Sequence, residues 1–325
     1  MKIVLPGGSG QVGTILARAM VAGGHEVVVL SRSPRPAPWR VVPWDAATVG
    51  AWAAEFEGAD AVVNLAGRSV NCRYTAANRK LILDSRVDST RAVGLAIARA
   101  ARPPRVWLQS STATIYAHRY DAANDEATGI LAGTATEVGA PDTWKFSAEV
   151  SQAWERAADE ADTPRTRKVL LRSAMTMSPD RGGIFDVLLG LVRRRFGGTN
   201  GDGRQFISWV HDRDFVRAIY HLIGRDDLCG PVNVSSPNPL PNAVFLRELR
   251  AAAGVGFGLP ATRWMVEVGA FVMRTESELA LKSRRVVPGR LLDSGFAFDF
   301  PAWPAAAADL CRRWRDSRDR ARAAR

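Results

Sequence analysis

The chain is poor in cysteine, histidine, lysine and tyrosine, and each shortage removes a class of function. Three cysteines (Cys72, Cys229, Cys311) are scattered through 325 residues without a CxxC pair, and the four histidines (His25, His118, His211, His221) do not cluster with them. A disulfide framework is therefore not expected, and neither is a zinc site. No apolar run reaches the roughly 18 residues a membrane helix needs. The N-terminus enters a strand at once, without the basic and apolar regions of a signal peptide, so a cytoplasmic location is expected. The net charge is +11, yet only five of the 44 basic residues are lysine. Residues 312–325 hold seven arginines against two aspartates, and the remaining excess is spread thinly over the chain. This distribution reads as a solvated basic tail rather than a nucleic-acid face.

What is present is an alternation of short apolar runs and helical stretches. Lys2–Leu5, Glu26–Leu30, Ala59–Leu65, Val106–Gln109 and Val169–Leu171 read as buried strands. Gln11–Ala22, Thr48–Phe56, Asp88–Ala101 and Phe146–Ala161 read as helices between them. The alternation predicts βαβ units and a doubly wound parallel sheet of Rossmann type. Beyond about residue 175 the helical segments Phe185–Arg195, Asp212–Leu222, Ala243–Ala253 and Trp264–Met273 are joined by glycine- and proline-rich connectors. The expected organisation is a dinucleotide-binding domain over 1–175, with segments of 205–235 returning to it. A mostly helical substrate domain over 176–311 and the basic tail over 312–325 follow. Gly197–Gly203 has the composition of a mobile lid.

Three motifs carry chemistry. Gly7-Gly8-Ser9-Gly10-Gln11-Val12-Gly13 is a GxxGxxG turn between the first predicted strand and the first predicted helix. Such a turn lets backbone N–H groups at a helix N-terminus face a pyrophosphate without side chains in the way. The second predicted strand ends in Leu30-Ser31-Arg32, with Arg35 behind, and carries no carboxylate for a ribose 2′-hydroxyl. Arginine forks onto a 2′-phosphate, so NADP(H) is expected over NAD(H). Asn64-Leu65-Ala66-Gly67 closes the third predicted strand, and such ligands lie beyond the carboxyl ends of the strands. The expected cofactor contacts are Gly7, Ser9, Gly10, Gln11, Val12, Gly13, Ser31, Arg32, Leu65, Ala66 and Gly67. Arg68, Asn71 and Arg73 follow that turn and are candidates for an anionic substrate.

These motifs, with Lys80–Arg86, Phe146–Glu155, Gln205–Asp214, Gly230–Asn233 and Pro288–Phe298, resemble an atypical branch of the extended short-chain dehydrogenase/reductases. That branch is the epimerase family proteins, akin to nucleoside-diphosphate-sugar epimerases, with a C-terminal domain of unknown function. The resemblance covers nearly the whole chain and implies an NAD(P)-dependent oxidoreductase or epimerase acting on a small molecule. It also implies a catalytic tyrosine with a lysine four residues on, the cation lowering the phenol's pKa. Here those positions hold Phe146 and Val150, and none of the four tyrosines has a lysine four positions later. Ser110–Tyr116 resembles the hydroxyl-bearing strand end, which gives Thr112 the substrate-oxygen role. Tyr116, Lys145 and His211 are candidates for a replacement acid. Two readings follow: an enzyme with a substituted acid, or a protein that binds NADP(H) as a sensor or scaffold without turnover. The expected partners are a small-molecule substrate and, in assembly, a second copy of the chain; a specific nucleic acid and a membrane are not expected.

Overall fold

The computed structural model describes residues 1–133 and 139–323, with side chains as far as Arg320. In chain order the strands are β1 (Lys2–Pro6), β2 (Glu26–Ser31), β3 (Arg40–Pro43), β4 (Ala61–Asn64), β5 (Val106–Thr112), β6 (Arg167–Ser173), β7 (Met175–Met177), β8 (Phe206–Ile207), β9 (Trp209–His211), β10 (Gly230–Val234) and β11 (Leu240–Pro241). The longer helices are α1 (Gln11–Ala22), α2 (Ala76–Arg99), α3 (Asp142–Asp159), α4 (Ile184–Arg193), α5 (Asp212–Gly224), α6 (Asn242–Ala253) and α7 (Arg263–Val272). Two short helices, α8 (Glu278–Leu281) and α9 (Gly289–Asp293), precede the long α10 (Trp303–Ala323).

Seven strands form one sheet in the order β10-β6-β5-β4-β1-β2-β3. The chain starts in the interior of the sheet and winds outward both ways, with parallel pairing from β6 through β3. This is the doubly wound Rossmann arrangement. Central strands are buried on both faces and read as continuous apolar runs, as in Ile3-Val4-Leu5 and Val27–Leu30. β3 was not visible in the sequence because its register offers only Val41 and Val42, both half-exposed at the sheet edge.

The chain divides into two compact units. The first comprises 1–115, 145–173 and 216–232; the second comprises 116–144, 174–215 and 233–325. The first unit's core joins the sheet residues Val28, Val62 and Trp107 to Phe56 and to Val93 and Ile97 of α2. The second unit has its own core, built around Trp209, Phe245 and Trp303, with Phe185 and Leu189 of α4. There Trp303 stacks on Phe245 at 4.0 Å, and its indole N–H donates to the Phe245 carbonyl.

Three sequence expectations are corrected by the structure. Residues 312–323 continue α10 rather than forming a solvated tail. Leu310, Cys311 and Trp314 bury one face of that helix, and Arg313 forks onto Asp212 at 2.7–2.8 Å. The two last residues of the expected tail, 324–325, lie outside the described residues. Gly197–Gly203 is not built as a lid. Gly198 N–H donates to Leu259 O, Gly201 N–H to Ala261 O, and the Gly197 carbonyl accepts from Arg250. A Cβ at Gly198 would sit 2.3 Å from the Leu259 carbonyl oxygen, so that glycine serves close backbone packing. Thr48–Phe56 is also shorter than expected: Asp45 caps a turn at Ala47 and Thr48, and a single 3₁₀ segment follows over Ala51–Phe56.

Candidate functional site

The glycine turn between β1 and α1 is shaped by backbone contacts within the first unit. Gly7 has φ +72°, and a Cβ there would lie 2.6 Å from the Ala66 Cα, so the β4 turn backs directly onto it. A Cβ on Gly13 would lie 2.4 Å from the Gly8 Cα, which is what lets α1 start so close to its strand. At Gly10 the nearest atom to such a Cβ is 3.8 Å away, so this position is open. Gly10 is the N-cap of α1, with no side-chain cap and no acidic residue in the first turn. The first N–H groups of the helix thus have no intrahelical acceptor and suit an anion. The Gln11 side-chain amide nitrogen is buried beside this turn without a hydrogen-bond partner.

The third motif is held by a buried amide pair. Asn64 Nδ2 donates to Gln109 Oε1 at 2.9 Å, and Asn64 Oδ1 accepts from the Ala66 N–H. This fixes Leu65-Ala66-Gly67 against the glycine turn. Gly7, Ser9, Gly10, Ser31, Arg32, Leu65, Ala66 and Gly67 line one cavity of about 680 Å³. Gln11, Val12 and Gly13 lie in the first turn of α1 and are not among its lining residues. The cavity also takes in Arg35, Trp39, Asp45 and Arg68. Trp39 and Asp45 escaped the sequence reading because a lone tryptophan in a proline-rich stretch and an Asp-Ala-Ala-Thr turn carry no binding signature.

At the end of β2 the Ser31 hydroxyl donates to Ser9 Oγ at 3.2 Å and accepts from the Ser33 N–H. Arg32 and Arg35 are exposed and make no ion pair among the described residues. Asp45 is a carboxylate on this side of the cavity, but its oxygens accept from Ala47 N–H, Thr48 N–H and the Thr48 hydroxyl. Those hydrogen bonds, the Thr48 hydroxyl first, hold its pKa down at about 2.

The positions of the missing Tyr/Lys pair are filled by core. Phe146 and Val150 are buried and pack with Ile82, with Val70, Cys72 and Tyr74 around them. The Tyr74 ring meets Phe146 edge-on at 5.2 Å, and the Arg79 guanidinium lies 4.9 Å over the other side. Two turns further along α3, Arg86 lies 4.9 Å over Trp154, whose indole N–H donates to Thr90. So Arg79, Ile82, Arg86 and Thr90 of α2 form a stripe along Phe146, Val150 and Trp154 of α3. Periodicity predicts a helix only from Asp88, because residues 76–87 mix charged and apolar positions without a clean stripe, and the family resemblance implies one over Lys80–Arg86; in the structure both belong to α2, which Thr75 caps from Ala76. Beneath this contact Glu155 accepts from Ser111 Oγ at 2.5 Å and is forked by Arg172 at 2.7–2.8 Å, all three buried.

Thr112 and the candidate acids each have surroundings of their own. Thr112 ends β5, and its Oγ1 accepts from the Thr114 N–H at 3.2 Å. Tyr116 belongs to the second unit, is 2% exposed, and donates its phenol proton to Asn233 Oδ1 at 2.9 Å. Asn233 in turn donates to the Val287 carbonyl, so Tyr116 is part of a buried hydrogen-bond chain rather than a free acid. Lys145 is exposed at the start of α3.

His211 is fully buried in the second unit and stacks on Phe300 at 3.9 Å. Its Nδ1 accepts from the Arg213 N–H, which assigns the ring proton to Nε2, 3.1 Å from Asp309 Oδ2. Arg313 bridges Asp212 and Asp309, and Arg312 also pairs with Asp309. The arrangement clamps α10 to the start of α5. Burial pushes the His211 pKa down, against the pull of Asp212, Asp309 and Asp214 and with the help of Arg313. The folded state therefore prefers the neutral ring, while the unfolded chain takes up a proton near pH 6.5. Stability from this group is full above that pH and is lost as pH falls below it. Thermal melting from pH 7.5 to 5 should show a falling Tm, and His211→Asn should flatten the slope. An unchanged slope in that variant would assign it elsewhere, for instance to His221, whose pKa burial also lowers.

Residues 3–136 match the NAD-dependent epimerase/dehydratase family, and residues 261–310 match a domain of unknown function. The epimerase family protein SDR39U1 of Bos taurus is 31% identical over 314 residues, which is 95% of this chain and 99% of that protein. The epimerase family protein YfhF of Bacillus subtilis is 27% identical over 95% of this chain and 98% of its own length. The crystal structure of human SDR39U1 with NADPH superposes with a TM-score of 0.83 at 29% identity, covering 96% of this chain and 99% of that one.

Proposed function

The chain belongs to the NAD-dependent epimerase/dehydratase family, and we propose that its first unit binds NADP(H) to serve an oxidoreductase or epimerase-like reaction on a small molecule. The observation that carries the NADP(H) reading is the end of β2. Ser31, Arg32, Ser33 and Arg35 border the cavity there, while the nearby Asp45 carboxylate is engaged by its own turn. A guanidinium at this point matches a 2′-phosphate in a bidentate manner and gains nothing from a bare 2′-hydroxyl. The NADPH in the human relative's structure supports the same reading.

A bound nicotinamide would supply or accept hydride. The chain's own part is to seat the pyrophosphate on the α1 N-terminus at Gly10 and the adenosine end at Ser9, Ser31 and Arg32. Thr112, whose oxygen already accepts from Thr114, retains its proton for donation to a substrate oxygen. With Phe146 and Val150 in core, no phenol–ammonium pair is available from α3. Reduction of an activated carbon–carbon double bond needs a weaker acid than ketone reduction and fits this site better. Free cysteines are compatible with a reducing compartment, and we place the protein in the cytoplasm.

Calorimetric titration tests the cofactor. NADPH should bind more tightly than NADH. Arg32→Ala should weaken NADPH by about 10- to 100-fold, the loss of a charged hydrogen-bonding pair, and leave NADH nearly unchanged. Equal affinities in the wild type would sink the NADP(H) assignment.

The apolar filling around Phe146 favours one alternative, a protein that binds NADP(H) without turnover. NADPH oxidation in the presence of a panel of enones and carbonyl compounds separates the two. Sustained oxidation with any of them excludes the non-catalytic reading, and none across the panel supports it.

A further inference from the structure

Gly67, at the cavity edge, is flanked by two guanidiniums that have no carboxylate within ion-pair reach among the described residues. Arg68 donates through Nη2 to Asn78 Oδ1 at 3.2 Å, while its Nε is buried with no hydrogen-bond partner. Arg86 donates through Nη1 to the Arg68 and Ile82 carbonyls at 3.1 and 3.0 Å and lies over Trp154. A Cβ on Gly67 would sit 3.3 Å from the Arg86 Cζ, so the guanidinium presses directly on this turn. Burial lowers the Arg86 pKa to about 10, which leaves it charged at neutral pH. The ionisable side chains that act on it are Tyr74 and Cys72, neither of them a carboxylate.

A half-buried cation without a counter-charge carries a desolvation cost, and a buried N–H without an acceptor adds to it. Both costs fall away if an anion sits beside Gly67. The place is specific. Ala66 backs onto Gly7, and Gly67 and Arg68 border the same cavity as Ser9 and Gly10. The cation that a lysine at position 150 would bring to the nicotinamide side is absent, since Val150 is core.

We propose that Arg86 and Arg68 hold the phosphate on the nicotinamide side of the cofactor and so anchor that half in place of the missing lysine. The proposal rests on the NADP(H) reading. α2 supplies the charge instead of α3, and the Trp154 face fixes the Arg86 guanidinium in position. Arg86 and Arg68 bind and position; they do not exchange protons with a substrate.

The test compares NADPH with 2′,5′-ADP, which has the adenosine end and its two phosphates but lacks the nicotinamide-side phosphate. Both are titrated calorimetrically into the full chain as wild type, Arg86→Met, Arg86→Lys and Arg68→Met. Each methionine variant should weaken NADPH by about tenfold or more while 2′,5′-ADP changes by less than about twofold. Arg86→Lys should recover part of the loss. NADPH affinity unchanged in both methionine variants overturns the proposal. So does a parallel loss for both ligands, which marks a disturbed cradle. If Arg86→Met does not fold, the same comparison on Arg68→Met, at a cavity-lining loop position, decides the matter. A wild type that binds neither ligand overturns this proposal together with the NADP(H) reading; a wild type that binds both, with insensitive variants, overturns this one alone.

Discussion

Gly13→Ala is expected to destabilise the first unit by about 3 kcal/mol, the upper end of overpacking costs, and to lower its Tm by roughly 5–10 °C. The added methyl would stand 2.4 Å from the Gly8 Cα and equally close to the Gly8 carbonyl oxygen. Backbone, unlike a flexible side-chain end, cannot swing aside. Relief requires α1 to move off its strand, and the cradle widens as it does. NADPH binding should be lost with the geometry. Gly10→Ala is the control that separates fold from function. Its φ is −73° and its nearest neighbour 3.8 Å away, so the methyl meets no clash and the fold should lose only about 1 kcal/mol, the cost of a poorer N-cap. The new methyl nevertheless lines the cavity where phosphate would approach, so NADPH affinity should fall while Tm drops far less than in Gly13→Ala. Melting curves and calorimetry on the two variants check both halves. Equal Tm losses would mean that the steric reading of the turn is wrong.

The contrast between these glycines shows what the sequence could and could not reveal. A GxxGxxG turn is made by neighbours in the chain, so its pattern is legible wherever a strand precedes it and a helix follows. The same holds for Ser31-Arg32 and for the Asn64–Gly67 turn, each a local strand end. Which glycine touches what is not local. Gly7 is constrained by Ala66 and Gly10 by almost nothing, and only the assembled sheet shows it. The α2–α3 ladder was out of reach for the same reason: Arg86 has meaning only when Trp154 and Gly67 are beside it. Residues 312–323 look like a tail because seven arginines in the last fourteen positions of the chain dominate their composition. The apolar face that leads into them, Leu310, Cys311 and Trp314, shares a core with Phe185, Leu189 and Val192, and Trp314 donates to Asp186, all more than a hundred residues away. The surroundings of Tyr116 were hidden on similar grounds, because its hydrogen-bond acceptor, Asn233, lies 117 residues on.

Glu155→Ala is expected to be the most damaging single change in α3, at about 3–5 kcal/mol, the usual cost of breaking a buried ion pair. Glu155 takes a proton donor from β5 (Ser111) and two from β6 (Arg172), whose residues are direct register partners in the sheet. Without the carboxylate, the Arg172 guanidinium stays in the interior with its principal counter-charge removed, and Ser111 loses its acceptor. The desolvation cost of the remaining charge, more than the lost attraction, sets the size of the effect. This predicts a non-additive cycle. The double change Glu155→Leu with Arg172→Met removes both charges and keeps volume, so it should cost less than Glu155→Ala alone. Additive single and double effects would show that the pair acts independently, against the geometry. The functional consequence follows from position. Glu155 adjoins Trp154, on which Arg86 rests, so a turn of α3 about its axis displaces the guanidinium beside Gly67. In Glu155→Ala protein held below its lowered Tm, NADPH should therefore bind more weakly while 2′,5′-ADP is less affected. Denaturant unfolding gives the first quantity, and titration with the two nucleotides gives the second.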